Sequence, residues 1–350
     1  MQMKRTFFLI FLLIAVLLSS CSTGRADVSQ NVGIGREPAP IGSPDSIVPT
    51  DPTNSDSSVT PSPNDDGTQS QTQRLWRMEN GRYVYSFPER KSADMSDTSD
   101  LDSLRYVPFE DAASDNNDWY FGQTVRDSAT GAVTKVWDRA DSTLAILDKT
   151  NTVYRGNEDE KVVYLTFDCG YETGTTSTIL DTLKEKNVPA TFFVNGHYVE
   201  SAQEMVRRML DEGHIVANHC VNHYDLTTVE ADVFVSEVQG LEDLYYTLFP
   251  DADPMIYFRP PSGAANEWVL SMADRMGYTT VMWSWAYRDY IDDDQPTTAE
   301  AIEKIKLGLH NGCVYLLHAE STTNTAILGD MIDWIRSEGY EILPLCDIGS

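Results

Sequence analysis

The chain has few basic residues. Its 350 residues include 26 Lys and Arg against 54 Asp and Glu, so the formal net charge is −28 at pH 7. Proteins that bind nucleic acid neutralise phosphates with Lys and Arg, and proteins held at anionic lipid use basic clusters. The composition therefore excludes a nucleic-acid partner and gives no electrostatic route to a membrane, and no feature of the sequence implies a protein partner.

Cysteines and long hydrophobic runs are scarce as well. The five cysteines are too few and too widely spaced for a disulfide scaffold. The apolar run from Phe7 to Leu18 is shorter than the roughly 20 residues that a membrane-spanning helix needs. This run follows a basic start and precedes small residues, so we interpret residues 1–20 as an export signal.

The signal ends in a pattern that favours lipid attachment. Residues 18–21, Leu-Ser-Ser-Cys, resemble the lipobox of bacterial lipoproteins, in which the cysteine is lipidated and becomes the new N-terminus. We predict a lipid on Cys21 and a location on the outer face of the bacterial cell membrane. The alternative is an ordinary secretory signal in which Cys21 has no role. Residues 21–75 contain no aromatic residue and too little apolar surface to fold, so we predict a disordered linker there.

The rest of the chain divides in two. Residues 76–150 mix aromatic residues with acidic clusters, and no structure is predicted for them. Residues 151–350 alternate short β-type runs with amphipathic stretches, which is typical of βα units. Strands are predicted at Val162–Phe167, Ala190–Val194, His214–Asn218, Ile256–Phe258, Thr279–Trp283, Cys313–Leu317 and Tyr340–Leu343. Helices are predicted at Thr175–Lys186, Ala202–Glu212, Ala231–Leu248, Glu267–Met276, Thr298–Leu309 and Thr325–Glu338. The order predicts an α/β fold with a parallel sheet or barrel.

Ionisable side chains follow four of the predicted strands. Asp168 comes after the first strand, His219 after the third, Arg259 after the fourth and His318 after the sixth. Since parallel βα folds place their reactive groups beyond the C-terminal strand ends, we expect these four groups at one edge of the sheet.

His219 and His223 form an H-x3-H pair, a spacing that lets two imidazoles converge on one metal ion. The chain lacks the H-E-x-x-H motif of zinc proteases here, because Cys220 stands where the catalytic Glu would be. Taken alone, such a pair is also compatible with two solvent-facing histidines.

Four segments carry a family resemblance: 166–170 (TFDCG), 219–223 (HCVNH), 259–263 (RPPSG) and 316–318 (LLH). In order and spacing they resemble the motifs of NodB-type polysaccharide deacetylases, carbohydrate esterase family 4, over Thr152 to Ile348. Residues 166–172 (TFDCGYE), 283–290 (WSWAYRDY) and 316–321 (LLHAES) are similar to the branch that makes muramic δ-lactam in spore cortex.

The resemblance implies a distorted or incomplete (β/α) barrel and a metal-dependent hydrolase acting on the glycan strands of peptidoglycan. The expected reaction is removal of N-acetyl groups, with N-acetylmuramic acid as the expected sugar. Alternatives are a chitooligosaccharide or acetylxylan deacetylase and a catalytically idle glycan-binding lipoprotein.

The implied cofactor is a divalent metal ion, with Zn²⁺ expected, held by His219 and His223. The family has a second aspartate after the catalytic base, whereas this chain has Cys169. Three interpretations remain open for this residue: a thiolate ligand that completes a Cys-His-His site, a bystander thiol, and a disulfide with Cys220.

The remaining roles follow from the chemistry of amide cleavage, which needs a base for the attacking water and an acid for the leaving amine. Asp168 is the predicted base, Arg259 its ion-pair partner and His318 the acid, with Asp289 orienting His318. His197 is expected to be structural. Side chains predicted to contact the sugar are Tyr171, Pro260, Trp285 and Tyr290.

Overall fold

The computed structural model describes residues 75–106, 109, 119, 124–126, 133–136, 139–291 and 293–348. The export signal, Cys21 and nearly all of the linker lie outside these residues, so those expectations stay predictions. Within the described part of the chain, no helix has both the length and the apolar character needed to cross a bilayer.

The strands and helices alternate through the larger part of the chain. The strands are β1 (Trp76–Glu79), β2 (Arg82–Tyr85), β3 (Thr124–Arg126), β4 (Val133–Val136), β5 (Thr152–Val153), β6 (Val162–Cys169), β7 (Thr191–Val194), β8 (Ile215–Asn218), β9 (Tyr257–Phe258), β10 (Thr279–Val281), β11 (Trp285–Ala286), β12 (Cys313–His318) and β13 (Glu341–Ile342). The helices are α1 (Asp141–Lys149), α2 (Thr176–Lys186), α3 (Gly196–Ser201), α4 (Gln203–Asp211), α5 (Ala231–Leu248), α6 (Glu267–Arg275), α7 (Thr298–Gly308) and α8 (Thr322–Ser337).

One parallel sheet organises the catalytic part of the chain. Its strands follow the order β11-β12-β6-β7-β8-β9-β10-β5, and β13 also pairs with β6. Every pairing in this sheet is parallel. With helices around it, the sheet forms an incomplete (β/α) barrel, so the predicted fold class is confirmed.

The register of the sheet brings the ends of its strands together. His318 at the end of β12 lies opposite Asp168 in β6, and Asp168 lies opposite Phe193 in β7. Asn218, the last residue of β8, pairs with Phe258 at the end of β9. The residues that follow β8 and β9 are His219 and Arg259, and the four predicted ionisable groups therefore meet at one edge.

Strand β6 is the centre of the core. All eight of its residues are buried, as expected for a parallel strand covered on both faces. Its Phe167 stacks on Phe192 of β7, with ring centroids 5.2 Å apart. The strand extends beyond its predicted end at Phe167, so Asp168 and Cys169 lie inside the sheet rather than in the following loop.

Most element boundaries fall within two residues of their predicted positions, but α8 begins earlier. It starts at Thr322 rather than Thr325, because the Ser321 hydroxyl caps the helix by accepting the Asn324 N–H at 3.1 Å. Strands β1 to β4 and helix α1 lie in residues 76–150, for which no structure was predicted. Strands β5 and β11 and helix α3, of two, two and six residues, were not predicted either.

The segment before the sheet folds against it. Strands β1 and β2 form an antiparallel hairpin, and the Tyr85 hydroxyl donates to the Gly213 carbonyl at 2.9 Å, next to the start of β8. Farther along, the Arg105 guanidinium lies over the Trp268 ring of α6 at 3.8 Å. Residues 75–106, for which no structure was predicted, therefore cover part of the barrel surface.

Candidate active site

A large cavity lies at the C-terminal edge of the sheet. Its volume is about 1360 Å³, and Asp168, His219, His223 and His318 all line it. Pockets that enclose a drug-sized ligand span roughly 300–1,000 Å³. The cavity therefore has room for a ligand larger than a single small molecule.

Arg259 and Asp168 form a buried ion pair at the base of the cavity. Arg259 is fully buried, and its Nη1 donates to Asp168 Oδ1 at 2.7 Å. Its Nη2 donates to Thr166 Oγ1 at 3.0 Å, its Nε donates to the Val281 carbonyl at 2.9 Å, and its guanidinium lies 4.0 Å from the centroid of the Phe193 ring. These contacts fix both the position and the charge of the guanidinium.

The ion pair sets the charge of Asp168. Burial is the largest single influence and raises the pKa of this carboxyl, but the charges of Arg259, His219 and His318 and the hydrogen bond from Arg259 together outweigh it. The pKa of Asp168 therefore lies below its ordinary value. The carboxylate is therefore ionised at neutral pH and faces the cavity, as a general base requires.

His219 is held as a neutral imidazole. Its Nδ1 lies 2.8 Å from the Arg259 carbonyl, and since a carbonyl only accepts, Nδ1 carries the proton. Burial is the main reason that the pKa of His219 falls to about 4. Its Nε2 lone pair then faces Asp168 Oδ2 at 3.5 Å, an arrangement of two electron-rich atoms that a nearby cation stabilises. The ring centroid of His223 is 5.0 Å from that of His219.

This donor set fits a divalent metal ion bound by two imidazoles, the form of histidine that ligates metals. The described residues contain no cluster of three or more His, Cys, Asp or Glu side chains that would hold a metal ion. Among the described residues, His219 and His223 are therefore the side chains that would hold such an ion.

The structure does not bring Cys169 to the histidine pair, which corrects the prediction of a Cys-His-His site. Successive side chains of a strand point to opposite faces, so when Asp168 faces the cavity Cys169 faces the core. Cys169 is fully buried, and burial, followed by the charges of Glu320 and Asp168, raises the pKa of its thiol well above the ordinary value. Cys220 is also a free, buried thiol, so the disulfide interpretation is wrong for this structure.

His318 has a carboxylate partner on its Nδ1. Asp289, which is fully buried, accepts from His318 Nδ1 at 2.7 Å and from the His318 backbone N–H at 2.9 Å. Asn324 Nδ2 donates to the same carboxylate at 2.5 Å. Burial lowers the pKa of His318, but the charge and hydrogen bond of Asp289 outweigh it and raise the pKa to about 9. The geometry is the one predicted for Asp289, and it leaves a protonated Nε2 for the reaction.

The Asp289–His318 pair predicts a specific pH dependence. Activity should stay high while Asp168 is ionised and His318 is protonated, and it should fall as the pH rises through about 9. In Asp289→Asn the positive charge loses its main partner and only the charges of Asp168 and Glu320 still oppose burial, so the alkaline limb should move down by about one pH unit or more. The measurement is kcat/KM from pH 5 to 10.

Asp293→Asn is the matched control, because Asp293 is an exposed aspartate of the same loop. Its alkaline limb should coincide with that of the unmodified protein. An unshifted limb in Asp289→Asn would show that His318 is not the group titrating there.

Two of the four predicted sugar contacts lie on the cavity wall. Tyr171 is 63% exposed and Tyr290 is 50% exposed, so both rings are accessible to a ligand in the cavity. The Tyr290 ring lies 5.2 Å from the His318 ring, and the Tyr171 ring lies 4.8 Å from that of His197. His197 is exposed on the cavity, which corrects the expectation that it is structural.

Trp285 and Pro260 do not line the cavity, contrary to prediction. Trp285 lies in β11, where side chains alternate, and it packs on Gly308 of α7 while Ala286 faces the cavity. Pro260 is buried in the turn after β9.

Glu320 was missed, although it lies in the LLHAES segment that carried the resemblance. Its Oε1 accepts the backbone N–H groups of Gly170 at 2.7 Å and Tyr171 at 3.0 Å. It therefore ties the turn after β6 to the loop after β12. The sequence signal that could have identified Glu320 is its position, two residues after a histidine at the end of a predicted strand.

We expect Glu320→Ala to raise KM about tenfold, because two backbone N–H groups lose their acceptor and Tyr171 loses its fixed position. Glu320→Gln keeps an acceptor oxygen and should stay within about threefold of the unmodified protein. Steady-state acetate release measures both variants. An equal rise in KM for the two variants would mean that the charge of Glu320, rather than its hydrogen bonds, is needed for substrate binding.

Known proteins share this fold and sequence pattern. The model of the polysaccharide deacetylase family matches residues 155–281. The peptidoglycan-N-acetylmuramic acid deacetylase PdaA of Bacillus subtilis is 39% identical over 204 residues, which are 58% of this chain and 77% of that protein. The chain belongs to the polysaccharide deacetylase family. This membership confirms the resemblance to carbohydrate esterase family 4 and the enzyme class, a deacetylase.

A solved structure of PdaA and one further relative agree. A solved structure of Bacillus subtilis PdaA, a family 4 carbohydrate esterase, superposes with a TM-score of 0.61 at 36% identity and covers 66% of this chain and 95% of that one. A chitooligosaccharide deacetylase of Bradyrhizobium is 34% identical over 197 residues, 52% of this chain and 88% of that protein. The similarity thus extends over most of each relative.

Proposed function

We propose that the protein is a metal-dependent deacetylase that removes N-acetyl groups from peptidoglycan, with N-acetylmuramic acid as its sugar. One observation carries the proposal: an ionised Asp168 and a protonated His318 face one cavity from paired strands. The 39% identity to an enzyme named for N-acetylmuramic acid supports the choice of sugar.

In this proposal Asp168 accepts the proton of the attacking water. The Arg259 guanidinium keeps the carboxylate ionised and holds one of its oxygens, Oδ1, at 2.7 Å. The other oxygen, Oδ2, lies on the side of His219 and is available to the water. A carboxylate that stays ionised in a buried site is a competent base for a water of lowered pKa.

His219 and His223 would hold the metal ion, with Zn²⁺ expected. A bound divalent ion would lower the pKa of a water molecule towards about 7 and polarise the acetyl carbonyl. The neutral state of His219 suits this role, because a protonated imidazole has no lone pair to offer.

His318 would donate the proton that the leaving nitrogen needs. Its Nδ1 is occupied by Asp289, so Nε2 is the donating atom. The product is a free amine next to the lactyl carboxylate of muramic acid. Closing these two groups gives a six-membered ring, which supports a role in muramic δ-lactam formation in spore cortex.

We further propose that the enzyme is exported and anchored through a lipid on Cys21. The basic start, the short apolar run and the Leu-Ser-Ser-Cys pattern support this location. Residues 21–75 would then act as a tether that lets the catalytic part reach glycan strands away from the membrane surface.

The test is acetate release from purified peptidoglycan whose stem peptides have been removed. Chelator should abolish release and Zn²⁺ should restore it. Mass spectrometry of the digested glycan should show muramic acid residues that have lost an acetyl group, some of them also a water. Chitooligosaccharides are the comparison substrate, because a relative at 34% identity is named for them. Release from chitooligosaccharides alone would overturn the choice of sugar, and release that chelator leaves unchanged would overturn the metal.

A further inference from the structure

Trp119 reaches the active-site cavity from the segment before the barrel. Its ring lines the cavity, although the residue is only 4% exposed. Its backbone N–H donates to the Gly263 carbonyl at 3.0 Å, and its indole Nε1 donates to the Trp283 carbonyl at 2.8 Å. Trp119 is therefore bonded to two of the loops that follow strands of the sheet.

The loop that Trp119 contacts has a strained backbone. Ser262 and Gly263 both have positive φ, at 56° and 65°, directly after the Arg259-Pro260-Pro261 segment. Side chains disfavour this region, and such conformations persist only where surrounding contacts enforce them. Both residues line the cavity, so the contacts that hold this turn also shape the cavity wall.

Gly263 lies between two tryptophans with no spare room. A β-carbon at this position would lie 2.5 Å from a ring atom of Trp283 and 3.1 Å from the Cβ of Trp119. Trp283 also lines the cavity. Trp119, Gly263 and Trp283 thus form one tightly packed wall.

The Trp119 ring is also held by contacts with three other side chains. The Arg139 guanidinium lies 3.7 Å from the ring centroid, and the rings of Phe109 and Tyr154 approach at 5.9 and 5.6 Å. A ring held in this way loses no freedom when a ligand arrives, and flat aromatic faces suit the apolar faces of sugar rings.

We propose that Trp119 is a substrate-positioning residue, which completes the glycan-binding wall by holding the 262–263 turn against Trp283. The inference rests on the proposed glycan substrate. It also assigns a role in the activity to a residue that precedes residues 155–281, the span that the family model matches.

Trp76 provides a matched control. It also lies ahead of the barrel, donates its indole N–H to Asp347 Oδ1 at 2.9 Å and packs on Tyr83 with ring centroids 5.3 Å apart. Unlike Trp119, it does not line the cavity. A purely structural role for indoles in this segment therefore predicts similar behaviour for Trp76→Ala and Trp119→Ala.

The experiment compares Trp119→Ala, Trp119→Phe and Trp76→Ala in the full-length protein, with acetate release from stem-peptide-free peptidoglycan and Tm measured for each. Trp119→Ala should raise KM about tenfold while kcat changes less, since binding and not the proton transfers is affected. Trp119→Phe keeps the backbone bond and an aromatic ring but loses the indole donor, so KM should rise about threefold. Trp76→Ala should lower Tm and leave both kinetic constants unchanged.

Binding is measured separately by co-sedimentation of each protein with insoluble peptidoglycan. If the unmodified protein releases no acetate from any glycan, the proposed function fails. Weaker co-sedimentation of Trp119→Ala than of Trp76→Ala would still support the role of Trp119 in binding glycan. Equal kinetic constants and equal sedimentation for Trp119→Ala and Trp76→Ala would overturn the inference.

Discussion

Replacing both His219 and His223 with Ala is expected to lower kcat/KM by at least about a thousandfold, because the metal ion supplies several kcal/mol of transition-state stabilisation. The described residues offer no third side chain that forms a three-ligand cluster with this pair. Loss of both imidazoles would therefore remove the proposed protein ligands of the ion. Acetate release and metal content by mass spectrometry, on the same purified sample, measure the two consequences together.

His197→Ala is the control for this double variant. His197 also lines the cavity, but its ring lies against Tyr171 rather than against the histidine pair. Its substitution should leave the metal content unchanged and act mainly on KM. Undiminished turnover in a folded double variant would mean that the two imidazoles do not serve catalysis, and the proposed mechanism would fail with them.

Sequence reasoning recovers those site residues that lie at the C-terminal ends of strands. In a parallel sheet the residue after each apolar run has to lie at the C-terminal edge, and this rule alone brings Asp168, His219, Arg259 and His318 together. Asp289 required the family resemblance, because nothing in the local pattern distinguishes it from the other aspartates of its loop. The structure gives it two bonds to His318.

Side-chain direction explains the errors. Cys169 follows Asp168 in the same strand, so the two cannot both face the cavity. The same alternation turns Trp285 towards Gly308 while Ala286 faces the cavity. Neither residue lay in a predicted strand, so the alternation could be applied only once β6 was seen to extend to Cys169 and β11 to contain Trp285.

The position of Trp119 at the cavity could not be predicted from the sequence pattern. Its neighbours in sequence show neither a period of two nor one of 3.6, and it reaches the cavity through contacts with residues more than a hundred positions away. Long-range packing of this kind leaves no local pattern. The partners of Glu320, Gly170 and Tyr171, likewise lie in another part of the chain, although its position two residues after His318 was a local signal.

Asp168 allows catalysis and stability to be separated. Asp168→Asn should lower kcat/KM by about 10²–10⁴-fold, since the amide has no basic oxygen for the attacking water. Its amide oxygen can still accept from Arg259 but carries no charge, so the free energy of unfolding should fall, by less than in Asp168→Ala. Asp168→Ala removes the acceptor and leaves a fully buried guanidinium without its counter-charge, which should lower the free energy of unfolding by about 3–5 kcal/mol.

Urea denaturation, followed by the intrinsic fluorescence of the protein, measures the difference between these two variants. If both variants are as stable as the unmodified protein, Thr166 and the Val281 carbonyl suffice to hold Arg259, and the carboxylate serves the reaction alone. An equal loss in both variants would show that the charge of Asp168 stabilises the buried guanidinium. A larger loss in Asp168→Ala than in Asp168→Asn would show that the hydrogen bond from Arg259 Nη1 contributes as well, because the two variants differ in whether an acceptor remains at that position.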